Sequence, residues 1–180
     1  MPSSSADTAA PPSISGELPT DAIAVEALVG RAFGPGRFAK AAERLREGRS
    51  HLIDLSRVAR AEGALVGCAR LWPVTAGAAP ALLLGPFAVD DAFRHRGLGG
   101  ALIRHACEAA AAAGHGLILL VGDEPYFAPL GFSAEAARRL ILPGPVDRRR
   151  VLARALKGGA ADELAGEVRP CLSPSTPGPT

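Results

Sequence analysis

The residues of this chain with the clearest chemical potential lie in a glycine-rich loop, Arg94 to Gly100, between an apolar run and an alanine-rich segment. Glycine allows a tight turn and lets backbone N–H groups approach a ligand closely. Where a helix begins after such a loop, its first N–H groups lack intrahelical partners and its dipole favours an anion. Arg94 and Arg96 add fixed positive charge. The loop therefore predicts a cradle for a diphosphate group.

Three phosphate-binding patterns compete for this loop. A dinucleotide-binding G-x-G-x-x-G motif requires glycine or alanine where this chain has Leu102. A P-loop requires a lysine after its last glycine, and no glycine pair here is followed by one. The pattern [Q/R]-x-x-G-x-[G/A] is satisfied by Arg94, Gly97 and Gly99. This third pattern resembles the acetyl-CoA pyrophosphate loop of the GNAT superfamily of N-acetyltransferases.

The resemblance extends over about 50 residues, 82–132, in which three further segments agree in order and spacing. LLLGPFAVDDAFR is similar to the family's fourth strand and its exit, and GHGLILLVGD to the fifth strand. PYFAPLGF is similar to the helix and Gly-Phe pair that follow. Together with AFGPGRFAKAAERLREG, these segments are most similar to the small bacterial YhbS-like branch.

The resemblance implies a GNAT-like acyl-CoA N-acyltransferase fold of the α/β class. Its mixed central sheet of about six to seven strands would be flanked by helices and splayed open between the fourth and fifth strands. Acetyl-CoA would enter that split as a co-substrate, without a metal. The implied contacts are Phe87, Ala88 and Val89 for the pantetheine, and Arg94, His95, Arg96, Gly97, Leu98, Gly99 and Gly100 for the pyrophosphate.

Direct acetyl transfer needs a neutral amine, a polarised thioester carbonyl, alignment and a proton for the departing thiolate. In many family members a carboxylate near the fourth strand helps to deprotonate the amine. Residues 82–89 contain no carboxylate, so the near candidates are Asp90, Asp91 and Asp123. Water-relayed deprotonation is the default expectation, because Asp90 and Asp91 fit a solvated loop.

The general acid of the family is commonly a tyrosine four residues before the glycine of the Gly-Phe pair. Counting back from Gly131 places Phe127 in that register, and Tyr126, the single tyrosine of the chain, one position earlier. Adjacent helix positions differ by about 100° around the axis, so the register favours Phe127 facing the pantetheine. Tyr126 is nevertheless the side chain with suitable chemistry there, and we take it as the catalytic candidate.

Apolar spacing and chain breakers predict the elements that would position these residues. The expected helices cover Thr20 or Asp21 to Phe33, 37–47, 98–113 and a short turn at 126–130. The expected strands cover 51–61, 64–74, 81–89, 117–121, 140–142 and 151–156. Residues 81–121 form a β-α-β unit with parallel strands. Gly85-Pro86 interrupts the third strand, and we expect a bulge there.

The chain of 180 residues has the length of one domain and can bury a core without disulfides or metals. We expect an N-acetyltransferase domain over 14–158, a disordered tail over 1–13 and a Pro-rich disordered tail over 159–180. A net charge of +2 argues against a nucleic-acid binder. The basic run from Arg138 to Lys157 lacks interleaved aromatic residues, which favours a solvated edge.

Apolar stretches fall short of the ~18–20 residues of a membrane span, and the N-terminus lacks the features of a secretory signal. Cys68, Cys107 and Cys171 are odd in number and widely spaced, which suits a reducing cytoplasm. The four histidines share no metal-ligand spacing.

The leading hypothesis is an acetyl-CoA-dependent N-acetyltransferase that acts on a primary amine of a small molecule or a protein, as a cytoplasmic monomer or homodimer. The alternative is a non-catalytic acyl-CoA-binding sensor. A third interpretation, an α/β domain without a ligand, requires the loop pattern to be coincidental.

Overall fold

The computed structural model describes residues 10–35, 41–158 and 164–171. The strands are β1 Ser13–Gly16, β2 Arg57–Ala61, β3 Ala64–Ala76, β4 Ala79–Val89, β5 Leu117–Val121, β6 Leu140–Ile141, β7 Val151–Ala155 and β8 Gly166–Pro170. The helices are α1 Ala22–Phe33, α2 Ala41–Arg44, α3 Leu98–Ala112 and α4 Glu124–Phe127. None of the helices in these described ranges has the length and apolarity needed to cross a membrane.

The strands form a mixed sheet in the order β1-β2-β3-β4-β5-β7, with β8 against β3 and β6 against β8. The pairs from β1 to β4 are antiparallel, and β4 runs parallel to β5. The chain connects β4 to β5 through the glycine loop and α3. The expected β-α-β unit and the mixed α/β class are therefore confirmed.

The sheet opens between β4 and β5. These strands pair only at Leu82 with Ile118 and at Leu83 with Leu119, although β4 continues to Val89. Past Leu83 the two strands diverge, and we call the wedge between them the split. The expectation of a sheet splayed between these two strands is confirmed.

A bulge in β4 accompanies the split. In the β3–β4 ladder Ala69 faces Phe87, while Leu71 faces Leu84, so β4 carries one more residue than β3 over this stretch. Gly85-Pro86, which forms a cis peptide bond, lies in that stretch. The expected irregularity is therefore confirmed, and it turns the end of β4 away from β5.

Helix α3 holds the glycine loop against the sheet. Its buried face includes Leu102, Ile103 and Ala106, which join the main core cluster. A Cβ added to Gly67 on β3 would lie 2.6 Å from Cδ1 of Leu102, so glycine is required for this close packing. The glycine loop is thereby fixed at the mouth of the split.

Helix α1 packs on the other side of the sheet through one face. Val25, Leu28 and Val29 are buried, whereas Ile23 is 86% exposed. The helix begins at Ala22 after a 3-10 turn, so its first turn lies outside the contact with the sheet.

Three expected boundaries need correction. The strand expected over 51–61 begins only at Arg57, because residues 51–56 turn through hydrogen bonds from the N–H groups of Leu55 and Ser56 to the Leu52 carbonyl. The C-terminal tail expected to begin at residue 159 is wrong for residues 164–171, since β8 pairs with β3 and Val168 is buried. With β1 also present, the sheet has eight strands. Residues 37–40 of the helix expected over 37–47 lie outside the described ranges.

Candidate active site

Two cavities meet where the sheet splits. The cradle cavity, of about 490 Å³, lies between the end of β4, the glycine loop and the start of α3. The central cavity, of about 810 Å³, extends between α1, β3, β4 and the end of β5. Both are lined by Phe33, Phe87, Arg94 and Tyr126. A ligand that fills the cradle can therefore place one end in the central cavity.

Most of the residues expected to contact the co-substrate lie together. The cradle cavity is lined by Phe87, Ala88, Val89, Arg94, His95, Gly97, Gly99 and Gly100. Leu98 is 7% exposed and packs in the core instead. Arg96 is not part of the cavity lining. Its guanidinium carbon lies 5.8 Å from the centre of the Phe93 ring.

The loop that enters α3 is shaped by local hydrogen bonds. The Asp90 carboxylate accepts from the N–H of Ala92 at 3.1 Å, and Asp91 pairs with Arg94 at 3.0 Å. The Arg94 Nε donates to the Val89 carbonyl at 3.3 Å. Asp90 and Asp91 therefore build the loop, as expected for loop carboxylates, and line neither cavity.

Glycine is required at two positions of the cradle for different reasons. Gly97, the N-cap residue of α3, has a φ of 77°, which an L side chain rarely adopts. Gly99 has ordinary backbone angles, but an added Cβ would clash with the Tyr126 hydroxyl and lie 2.9 Å from Cζ of Phe87. The phenol therefore lies directly over the first turn of α3.

The structure distinguishes Tyr126 from Phe127. Tyr126 is 49% exposed and lines both cavities. Phe127 is 7% exposed, and its ring packs edge-on against Phe132 and Phe87 at 6.0 and 6.1 Å. Phe127 lines the central cavity alone, whereas Tyr126 also lines the cradle cavity, and the expectation that Phe127 faces the pantetheine stays a prediction.

The protonation state of Tyr126 suits a proton donor. Partial burial raises the pKa of its phenol, while the positive charge of Arg104 acts in the opposite direction. The phenol therefore stays protonated at neutral pH. Arg104 lies one turn after Gly100 on α3, and its Nη1 would be 3.4 Å from a Cβ placed there.

A buried ionic cluster that the sequence analysis missed lies beside the central cavity, and its members Glu26 and Arg70 line that cavity. Arg70, 5% exposed, donates from Nε and Nη2 to Glu17 and from Nη1 to Glu26 at 3.0 Å. His51 Nε2 lies 3.2 Å from Glu17 Oε2. Burial alone would raise the pKa of Glu17, but hydrogen bonds from His51 and Arg70 outweigh it and lower that pKa. The sequence signal that could have revealed this cluster is the single arginine, Arg70, inside the apolar run of β3.

Two further polar groups of the central cavity are also paired. Asp123, one of the expected base candidates, lines the cavity and accepts from Arg150 Nε at 3.1 Å. The indole N–H of Trp72 donates to the Gly85 carbonyl in the bulge. Trp72 therefore both packs and forms part of the cavity wall.

The cysteines do not have the properties of nucleophiles. Burial raises the pKa of the Cys68 thiol to about 12 and also raises that of Cys107. In the described ranges, no three His, Cys, Asp or Glu side chains form a group that could hold a metal ion.

The sheet is mixed and opens beside a loop that presents backbone N–H groups. This arrangement is typical of proteins that hold an extended phosphorylated ligand along one strand. The sequence model of the family described as "Acetyltransferase (GNAT) domain" matches residues 51–136. Residues 51–136 therefore match a GNAT acetyltransferase domain. None of the proteins of curated function matches the chain.

Solved structures agree with this assignment. The chain is 25% identical to the GNAT family N-acetyltransferase YhbS from Escherichia coli, solved with CoA, with a TM-score of 0.78 over 92% of each chain. It is 25% identical to a GNAT family acetyltransferase from Brucella melitensis, solved with acetyl-CoA, with a TM-score of 0.65 over 88% of this chain and 95% of that one. The ribosomal-protein-S18-alanine N-acetyltransferase of Escherichia coli shares the fold at 19% identity, with a TM-score of 0.57 over 87% of this chain and all of that one.

Proposed function

We propose that the protein transfers an acetyl group from acetyl-CoA directly to a primary amine of a small molecule or a protein. The observation that carries this proposal is the meeting of the cradle cavity and the central cavity at Phe87 and Tyr126. The similar structures from Escherichia coli and Brucella melitensis, with CoA and acetyl-CoA bound, support the choice of co-substrate.

The proposed pose follows the lining of the cradle cavity. The pyrophosphate occupies the loop from Arg94 to Gly100, where the first N–H groups of α3 and the Arg94 guanidinium provide donors. The pantetheine runs along the exposed edge of β4 at Phe87, Ala88 and Val89, with the thioester directed toward the bulge. Strand N–H groups there polarise the thioester carbonyl.

The transfer needs no covalent enzyme intermediate. The amine nitrogen attacks the thioester carbon, the C–N bond forms, and the C–S bond then breaks. Tyr126 gives its phenolic proton to the departing thiolate and regains a proton from the amide-forming nitrogen through water. We therefore propose Tyr126 as the general acid.

The test separates an enzyme from a sensor of acyl-CoA. Acetyl-CoA should raise the melting temperature, because a ligand bound only by the folded state stabilises it. Free thiol should then appear in proportion to a primary amine added from a panel. Stabilisation without amine-dependent thiol release would identify a binding module, and no stabilisation at saturating acetyl-CoA would overturn both functions.

We also propose a cytoplasmic location, and a monomer or homodimer as the working state. The location is supported by Cys68, Cys107 and Cys171, which form no disulfide with one another. Cell fractionation and size-exclusion chromatography with light scattering test these two points.

A further inference from the structure

We propose that Glu26 binds the ammonium group of the acceptor beside the thioester and receives its proton. We propose in addition that the acceptor is a primary amine with no carboxylate on the neighbouring carbon. Both statements rest on the proposed function, since they name a residue and a substrate class for the same site.

The position of Glu26 follows from the bulge in β4. Arg70 lies on β3 opposite the stretch that contains Gly85-Pro86. Its Nη1 donates to Glu26 Oε1 at 3.0 Å, so the α1 carboxylate reaches over the sheet to this point. Glu26 and the bulge both line the central cavity. A thioester directed along β4 past Phe87 toward the bulge therefore ends near the Glu26 carboxylate.

The buried residues Arg70 and Glu17 fix the orientation of the Glu26 side chain. The Arg70 side chain is 6% exposed and the Glu17 side chain 1%, whereas the Glu26 side chain is 54% exposed. Glu17 binds Arg70 through two of its nitrogens, so the guanidinium has a defined position. Arg70 and Glu17 are thus positioning residues: they hold Oε1 of Glu26, whose side chain lines the central cavity.

The charges around Glu26 disfavour an acceptor with a carboxylate next to its amine. Such a carboxylate would lie beside Glu26, and like charges at close range repel. Two other arginines that line the central cavity are each bonded to a carboxylate of the protein. These pairs are Arg46 with Glu43 at 2.7 Å and Arg150 with Asp123 at 3.1 Å.

The rest of the central cavity favours an apolar body on the amine. Phe33, Trp72 and Phe87 line it together with aliphatic side chains from α1 and β4. Aromatic faces also attract a cation that lies over them. An arylalkylamine such as tyramine combines the ammonium, the missing carboxylate and the apolar body, and it serves as the first probe.

The proton balance of this step is complete. The bound ammonium gives one proton to the Glu26 carboxylate, and the freed lone pair forms the C–N bond with the thioester carbon. The C–S bond breaks and the thiolate takes a proton, while the nitrogen loses its second proton as the amide forms. Glu26 then returns its proton to water, so the amide, the free thiol of CoA and one solvent proton result.

The experiment compares three amines with the amino acids that differ from them by one carboxylate: tyramine with L-tyrosine, 2-phenylethylamine with L-phenylalanine, and tryptamine with L-tryptophan. Spermidine and a peptide with a free N-terminal alanine extend the panel. The variants are Glu26→Gln, the conservative Glu26→Asp and the control Glu135→Gln. Glu135 also forms a 3.0 Å ion pair, with Arg138, but lines neither cavity.

The wild type is expected to prefer each amine to its amino acid by about tenfold or more in kcat/KM, and Glu26→Gln to lower kcat/KM for the amines about 10- to 100-fold. In the presence of CoA, Glu26→Gln should also bind tyramine at least about tenfold more weakly in calorimetry. Acetyl-CoA affinity should stay unchanged in all variants, which confirms folding, and Glu26→Asp should retain part of the amine activity.

Two results would overturn the inference while the proposed function stands. One is transfer to the probes by Glu26→Gln at the rate of Glu135→Gln. The other is a wild type that prefers the amino acids, or that acetylates only spermidine or the peptide. Acetyl-CoA binding without transfer to any amine would instead overturn the proposed function, and the inference with it.

Discussion

At the scale of single residues, the proposed general acid is the phenol of Tyr126 and not the residue in the family's register, Phe127. Tyr126 lines both cavities while Phe127 is buried among aromatic rings. Replacing Tyr126 with Phe should lower kcat about 10²-fold or more, because loss of a general acid removes that range of catalysis. Steady-state kinetics with the best acceptor measures this, with the KM for acetyl-CoA as the internal reference.

The matched variant is Phe127→Tyr, which moves a phenol to the neighbouring position. We expect no gain from it, because position 127 faces the core. An unchanged rate for Tyr126→Phe together with a faster Phe127→Tyr would show that the register, and not the observed orientation, determines the acid.

The buried carboxylate of Glu17 makes stability depend on pH. Its pKa is lowered in the folded state, so its contribution is present above the unfolded value of about 4.3 and is lost as pH falls through the folded value. Glu17→Gln leaves Arg70 with less compensation and should cost about 3 kcal/mol at neutral pH. Urea unfolding at neutral and acidic pH should show that the free energy of unfolding falls less on acidification for this variant than for the wild type.

Glu135→Gln is the control for this measurement, because it removes an exposed ion pair worth at most about 1 kcal/mol. Equal acid dependence in wild type and Glu17→Gln would mean that the Glu17 carboxylate is not stabilised by folding.

At the scale of elements, the cradle depends on how closely α3 and α4 approach each other. A side chain at Gly99 would displace the Tyr126 ring and occupy the space over the first turn of α3. Gly99→Val should therefore abolish acetyl-CoA binding in calorimetry while the protein remains folded, since the clashing atoms are the ends of two side chains. Turnover should fall with binding.

Gly30→Val controls for the cost of a branched residue in a helix. Gly30 lies in α1, has open space around it and lines neither cavity. The Gly30→Val variant should lose some stability but bind acetyl-CoA with the affinity of the wild type. Wild-type affinity in Gly99→Val would place the co-substrate elsewhere.

The elements with strong periodicity were predictable, and those set by tertiary contacts were not. Helix α3 and strand β5 carry long apolar stripes, and their bounds agree with the sequence analysis to within one residue. Residues 51–56 have the apolar content of a strand, yet local hydrogen bonds turn them. Strand β8 is short and polar outside Val168, so only its pairing with β3 defines it.

At the scale of the whole molecule, the cradle could be predicted from the sequence, whereas the ionic cluster beside the central cavity could not. The glycine loop is one contiguous segment, so its pattern could be found in the sequence, and the resemblance to the GNAT family implied the contacts along β4. Glu17, Glu26 and Arg70 come from three segments separated by up to 53 positions in sequence. No local pattern links such residues, and only the fold brings them into contact beside the central cavity.

The central claim is that the protein transfers an acetyl group from acetyl-CoA to an amine, with the two reactants held in the two cavities. The most direct test supplies acetyl-CoA with a deuterated acetyl group and an amine panel, and follows labelled amide by mass spectrometry alongside free thiol. We expect labelled amide and thiol in equal amounts, both proportional to protein and both lost in Gly99→Val. Saturating acetyl-CoA that stabilises the protein but yields no labelled amide with any amine would contradict the claim.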